Sequence, residues 1–194
     1  MESDDLDPAV CAAFLVAAFI LSGLCQAVWL GSTLSRRFAF PLDGGLTWRH
    51  RRLFGDHKTV RGFMAIVPAT ALSFALLSTV AGSHGITGLW PLSPAGYLLT
   101  GFWAGMGFMG GELPNSFLKR QMGIPPGARP ESPSSAAITF LVDRLDSVVG
   151  MLLALGLVVS VPWRTWLYVL AAGPVLHGAF SVLVYRLGGK GRAA

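Results

Sequence analysis

Five long apolar stretches, separated by short polar connectors, constrain this chain more than any other feature. They run over residues 8–30, 63–81, 95–117, 136–161 and 166–187. A helix rises ~1.5 Å per residue, so about 20 apolar residues cross the ~30 Å hydrocarbon core of a bilayer. Backbone polar groups find no water there, and a helix satisfies them within one segment. The expected fold is therefore all-α: a single integral membrane domain over residues 1–194, with five transmembrane helices and two cytoplasmic functional loops. Composition agrees, because only 13% of residues are charged and 53% are hydrophobic, against about 25% charged in soluble domains. Mean hydropathy is +0.57.

Charge placement orients the expected spans. The connector from Gly31 to Gly62 carries Arg36, Arg37, Arg49, Arg51, Arg52, Lys58 and Arg61. Lys119, Arg120 and Arg129 follow the third span, and Arg186, Lys190 and Arg192 follow the fifth. The alternate connectors hold Glu2, Asp4, Asp5 and Asp7 at the N-terminus, nothing charged between Gly82 and Pro94, and Arg164 near the last hairpin. Basic loops favour the cytoplasm, which puts the N-terminus outside and the C-terminus inside the cell (inner) membrane. The acidic N-terminus and the long apolar segment after it predict a retained span rather than a signal peptide. The net charge of +5 sits beside hydrophobic segments and in no separate module, so partners are expected to be membrane lipids and an anionic substrate, with no nucleic acid.

Cys11 and Cys25 both fall in the first apolar stretch. Fourteen residues of helix separate them by about 21 Å, beyond the ~7 Å that a disulfide allows between Cα atoms, so both read as packing residues. The third stretch contains Gly101/Gly105 and Gly107/Gly111. This four-residue spacing lets helix backbones approach closely.

Three polar clusters interrupt the apolar pattern, and the orientation places all of them on the cytoplasmic side. The first, 54-FGDHKTVRG-62, packs Asp56, His57, Lys58, Thr59 and Arg61 between two glycines. Lys and Arg beside a span serve as headgroup anchors, which accounts for Arg49, Arg51 and Arg52. It accounts less well for a mixture of acid, base, hydroxyl and flexible backbone, which suits polyphosphate binding. The second cluster is Glu112, Asn115, Ser116, Lys119 and Arg120. Three- and four-residue steps bring Glu112, Ser116 and Lys119 or Arg120 close to one helical face. Lys119 and Arg120 can end a span, but a carboxylate about two turns further in has no anchoring use, and intramembrane acids mark functional sites. The third cluster is 143-DRLD-146. Asp143 and Asp146 project from one face, whereas Arg144 points elsewhere. Two carboxylates with substrate phosphate oxygens suit Mg²⁺.

The ordered motifs FGDHKTVRG, GELPNSFLKRQMGIPPG and FLVDRLDSVVG resemble the CDP-archaeol synthase family over about Leu53–Gly150. That family is related to CDP-diacylglycerol synthase, with which it shares a Ser-x-x-Lys-Arg then Asp-x-x-Asp pattern. Asp is common there in place of Glu112, and Gln in place of Arg144; Arg144 looks more like the bacterial diacylglycerol-type signature. The resemblance implies a membrane-embedded cytidylyltransferase that joins CTP to a lipid phosphate. On that expectation Asp143 and Asp146 hold Mg²⁺, with Glu112 a further ligand. Lys58 and Arg61 hold the triphosphate, and Lys119 and Arg120 take the lipid phosphate or the CTP phosphates. Asn115 and Ser116 are polar contacts, Arg144 joins the substrate-binding set, and Asp56 either orients Lys58 or touches a metal. Glu131, in the polar loop, is expected to be dispensable. A small transporter or lipid-binding protein is the competing class, but transporters tend to line a path in repeated halves, and no repeat is visible. A CDP-alcohol phosphotransferase would need a longer array of acids than this single pair.

Overall fold

The computed structural model describes residues 5–125 and 133–186. Arg129, Glu131, Lys190 and Arg192 lie outside them, with most of the polar loop around Glu131. Five long helices carry the fold: α1 (Pro8–Gly31), α2 (Val60–Ser83), α3 (Pro94–Gln121), α4 (Pro133–Gly156) and α5 (Trp163–Arg186). Their starts follow local chemistry. Asp7 caps α1 by accepting from the Ala9 and Val10 N–H groups at 2.8 and 3.1 Å, and Ser93 caps α3 through the Gly96 N–H. A proline follows each of these caps, where its missing N–H costs nothing.

Of these helices, α1, α2 and Trp163–Leu183 of α5 are long and apolar enough to cross a membrane. Glu112 and Lys119 sit on α3, and Asp143 and Asp146 on α4. α4 ends at Gly156, five residues before the expected boundary, because the chain turns there. The Val158 and Val159 N–H groups both return to Leu155 O, and Val159 is buried. Apolar sequence continues through that turn, so composition alone overran it. Leu24, Val28, Leu72, Leu99, Leu153 and Leu157 are exposed, an outward apolar coat suited to lipid.

α3 is the central helix and packs most extensively on α2 and α4. Its glycines permit this, as the spacing predicts. A Cβ on Gly101 would lie 2.7 Å from Thr70 O, and one on Gly105 would lie 2.9 Å from Val67 Cα, both on α2. On the other side, a Cβ on Gly107 would meet Gly150 O at 2.5 Å and one on Gly111 would meet Asp146 O at 2.4 Å. Substituting Gly111 would therefore wedge α3 away from the turn of α4 that bears the aspartates. Of the two cysteines, Cys11 is buried and Cys25 is exposed; both are free thiols.

The connector between α1 and α2 departs from the all-α expectation. A 3-10 turn (Leu34–Phe38) is followed by a small antiparallel hairpin of β1 (Thr47–Trp48) and β2 (Arg51–Arg52). The turn residues Arg49 and His50 have φ of 51° and 62°, the geometry usually taken by Asn-Gly. An Arg-His turn carries none of that sequence signal, and two-residue strands are too short to show alternation.

Candidate functional site

The site is assembled at one end of the bundle by three segments: the connector before α2, the last turns of α3, and two successive turns of α4. The Lys58 ammonium donates to Glu112 Oε2, tying the connector to α3. On α4, Ser147 Oγ donates to Glu112 Oε1 at 2.7 Å. The Asn115 amide donates to Asp143 Oδ1 at 2.6 Å and to Asp146 Oδ2 at 2.8 Å. Lys119 completes the group with an ion pair to Asp143. Three carboxylates and two ammonium groups thus form one hydrogen-bonded network across α3 and α4. The Asp143 side chain is 38% exposed and that of Lys119 16%, so the network opens to the outside at its Asp143 edge.

Several residues stand differently from their sequence expectation. Asp56 is 73% exposed and pairs with Arg52, not with Lys58 or a carboxylate group. Arg52, read as a headgroup anchor, holds Asp43 as well as Asp56. Arg51 donates to Gln121 O at the end of α3. Glu112 is engaged by Lys58 and Ser147, and among the described residues no group of three or more His, Cys, Asp or Glu is arranged to hold a metal. Ser116 is buried against the bundle. The Arg61 backbone carbonyl accepts from Trp29 Nε1 at 3.1 Å, which pins the start of α2 to the end of α1. Arg144 sits half-buried between the two aspartates in sequence.

Asp43 and Ser147 are the residues that sequence reasoning missed. Asp43 has a fully buried side chain. It accepts from the Phe54 and Gly55 N–H groups at 3.0 and 3.1 Å, from Gly45 N–H at 3.1 Å, and from the Arg52 guanidinium. Burial alone would push this carboxyl up, but the Arg52 bond and the three amides hold it well below the usual carboxylate range. Arg52 is reciprocally raised, chiefly by its bond to Asp43. One carboxylate therefore gathers both arms of the loop that presents Lys58. The available signal was the Asp-Gly-Gly turn at residues 43–45, since Asp accepts bonds from nearby backbone in such turns.

The donor chemistry fits a divalent cation. Asp143 and Asp146 present hard oxygens that converge on a single amide nitrogen, the set that Mg²⁺ uses with phosphate oxygens. A charge cluster of this kind is costly inside a bilayer unless its members neutralise one another or a ligand.

An apolar helical bundle that concentrates its carboxylates and cations at one end is an integral membrane protein with a charged site. Comparisons narrow the class. A family model described as CarS-like, CDP-archaeol synthase, matches residues 38–192. CDP-archaeol synthase of Methanospirillum hungatei is 34% identical over 158 residues, covering 77% of this chain and 87% of that protein. The Halorubrum lacusprofundi protein of the same name is 34% identical, covering 77% of this chain and 81% of its own. A solved structure of an intramembrane enzyme for archaeal membrane lipid biosynthesis superposes with a TM-score of 0.55 at 25% identity, covering 84% of this chain and 92% of that one. The chain belongs to the CDP-archaeol synthase family.

Proposed function

We propose that this protein is a CTP:lipid-phosphate cytidylyltransferase of the membrane. A phosphate oxygen of the lipid attacks the α-phosphorus of CTP. The α–β phosphoanhydride bond breaks, and pyrophosphate leaves as the CDP-activated lipid forms. The observation that carries this reading is the network of Lys58, Glu112, Asn115, Lys119, Asp143 and Asp146, gathered from three segments in a chain of this family. The relatives' name makes an ether-lipid phosphate the first substrate to test.

Transfer of this kind needs positioning and charge neutralisation more than covalent chemistry. Asp143 and Asp146 would hold Mg²⁺, and Glu112 adjoins them through Ser147; the ion, when bound, neutralises phosphate charge. Lys58 and Arg61 receive the triphosphate. Lys58 is paired with Glu112 before substrate arrives, so phosphate oxygens take over a cation that the fold has already positioned. Lys119 stands beside Asp143, where it stabilises charge on the reacting phosphates. All five helices cross the membrane, with the N-terminus outside and the site facing the cytoplasm, an orientation supported by the Lys/Arg bias. The transporter reading loses ground because family membership points to synthesis and the ionised groups collect at one end.

The test offers purified protein each of several lipid phosphates, ether and ester, with each radiolabelled nucleoside triphosphate and Mg²⁺. Label from CTP moving into lipid is the expected result. Absence of lipid-linked label with every combination overturns the proposal.

A further inference from the structure

The connector over residues 32–59 joins α1 and α2, both long and apolar enough to cross a membrane. It therefore leaves the bilayer and returns to it on one side, and the fold keeps it close to that boundary. Phe40 O accepts from the N–H of Val60, the first residue of α2, at 3.0 Å, and Leu42 N–H donates to Lys58 O at 2.8 Å. Trp29, in the last turn of α1, donates to Arg61 O and lies 5.9 Å from Phe38 between ring centroids. Asp43 draws the hairpin to the same place through the Phe54 and Gly55 N–H groups.

Between these ties the connector turns apolar side chains outward. Leu34, Phe40, Leu46 and Trp48 are 51% to 66% exposed. One exposed apolar side chain is ordinary, but four large ones in a short basic connector form a surface that calls for a partner. Leu46 and Trp48 are two residues apart, so extended backbone sends both to one side. The exposed charge around them is basic. Arg36, Arg37 and Arg49 are exposed, whereas Arg51 and Arg52 bond inward, to Gln121 O and to the two acids of the connector, Asp43 and Asp56. Exposed Leu24 and Val28 on α1 and Met64 and Leu72 on α2 form the lipid-facing coat of these spans. Leu34 and Phe40 continue that coat past the helix ends. Tryptophan and leucine flanked by arginine match the boundary between headgroups and acyl chains, where an amphipathic ring settles and guanidinium meets anionic phosphate.

We infer that the connector is a membrane-docking surface: Leu34, Phe40, Leu46 and Trp48 enter the leaflet beside the bundle, and Arg36, Arg37 and Arg49 engage its anionic headgroups. The partner is the bulk lipid surface around the protein, not a substrate, so the inference stands apart from the proposed cytidylyltransfer. Docking holds the hairpin, and with it the loop that presents Lys58, against the bilayer at the level of the headgroups. The apolar side chains supply depth, and the arginines supply the preference for anionic lipid.

Fluorescence of full-length protein in lipid nanodiscs, anionic or zwitterionic, tests this without turnover. The difference between wild type and Trp48→Phe isolates Trp48 among the six tryptophans. In anionic discs, lipids brominated high on the acyl chain should quench the Trp48 component, and aqueous acrylamide should not. In zwitterionic discs acrylamide quenching should return. Replacing Arg36, Arg37 and Arg49 together by Gln should abolish the difference between the two lipids. Quenching of Trp48 by acrylamide alone in anionic discs puts the hairpin in water and overturns the proposal. Quenching by neither reagent means that protein covers Trp48; it gives the face to a second copy or another protein and overturns the lipid assignment. Bromine quenching that ignores both lipid charge and the arginine substitutions overturns the anionic surface as the partner. Should a variant fail to fold, hydrogen exchange of wild type decides. Amides over residues 46–52 should exchange more slowly in anionic than in zwitterionic discs, and equal rates sink the proposal.

Discussion

The two ends of the bundle are fastened by different chemistry. At the end away from the site, the cross-links between elements are neutral hydrogen bonds, buried or part-buried. Trp90 donates to Ser160 O at 2.7 Å, Tyr97 to Trp90 O at 2.7 Å, and Thr165 to Pro8 O at 3.1 Å. The Asp7 N–H donates to Gly88 O at 2.9 Å, where a Cβ on Gly88 would lie 2.7 Å from Asp7 Cβ. Phe14 sits in the middle, 5.1 Å from Phe74 and 5.3 Å from Tyr97 between ring centroids. The site end is held by ion pairs and charge-assisted bonds among half-buried groups. Neutral bonds to backbone carbonyls leave no charged partner for a ligand to displace, so the fastening of the first end is closed to exchange. Ion pairs at partial exposure can exchange a partner for a phosphate or a cation at modest cost, so the second end is open to chemistry while still joining three helical segments and a loop.

Substitutions can break this contrast, and the largest effect is expected in the network itself. Asp143→Asn and Asp146→Asn should each lower CDP-lipid formation by at least about 100-fold, the scale of misplaced reacting groups, while the protein stays folded in the membrane. Activity across a Mg²⁺ titration, with monodispersity as the control, is the measurement; near-normal turnover in either variant would make the network a structural clamp like the opposite end.

A smaller effect is expected one layer out. Asp43→Asn keeps the shape but removes the charge that gathers the loop, so Lys58 should be less well placed. KM for CTP should rise about tenfold, equivalent to one charge-assisted bond, with kcat less affected. pH sharpens this prediction. The folded Asp43 carboxyl lies below its unfolded value, so its contribution is present above the usual carboxylate pKa of about 4 and declines as pH falls below that. Susceptibility of the hairpin to pepsin, which cleaves in acid, should therefore increase in wild type as pH falls below about 4, whereas Asp43→Asn should be susceptible throughout. A pH-independent difference between the two proteins would remove the carboxylate from the account.

The smallest effect belongs to the closed end. Trp90→Phe deletes the bond to Ser160 O and should cost about 1 kcal/mol of stability, read as a lower unfolding temperature, with KM for CTP unchanged. A change in KM would show that the two ends are coupled and that the contrast is too simple.

The sequence by itself determined the helices. Long apolar runs have one economical structure in a bilayer, and Asp7-Pro8 and Ser93-Pro94 set two of the starts through bonds that reach only two or three residues. It also determined the close packing of α3, because Gly at four-residue spacing removes the atoms that would keep helices apart. The site residues could be nominated for a related reason, since charge in apolar sequence is conspicuous. Their partners could not be read. Lys58 meets Glu112 across 54 residues and Asn115 meets Asp146 across 31, and no local rule encodes such distances. Whether Arg52 anchors a headgroup or clasps Asp43 depends on how the connector folds back. Whether Arg120 joins Lys119 or stands beside Arg51 and Arg52 of the hairpin depends on which neighbour occupies each side of α3. The tertiary structure decided these points because an ion pair is a property of two positions in space, whereas a helix in an apolar solvent is a property of the chain's own neighbours in sequence.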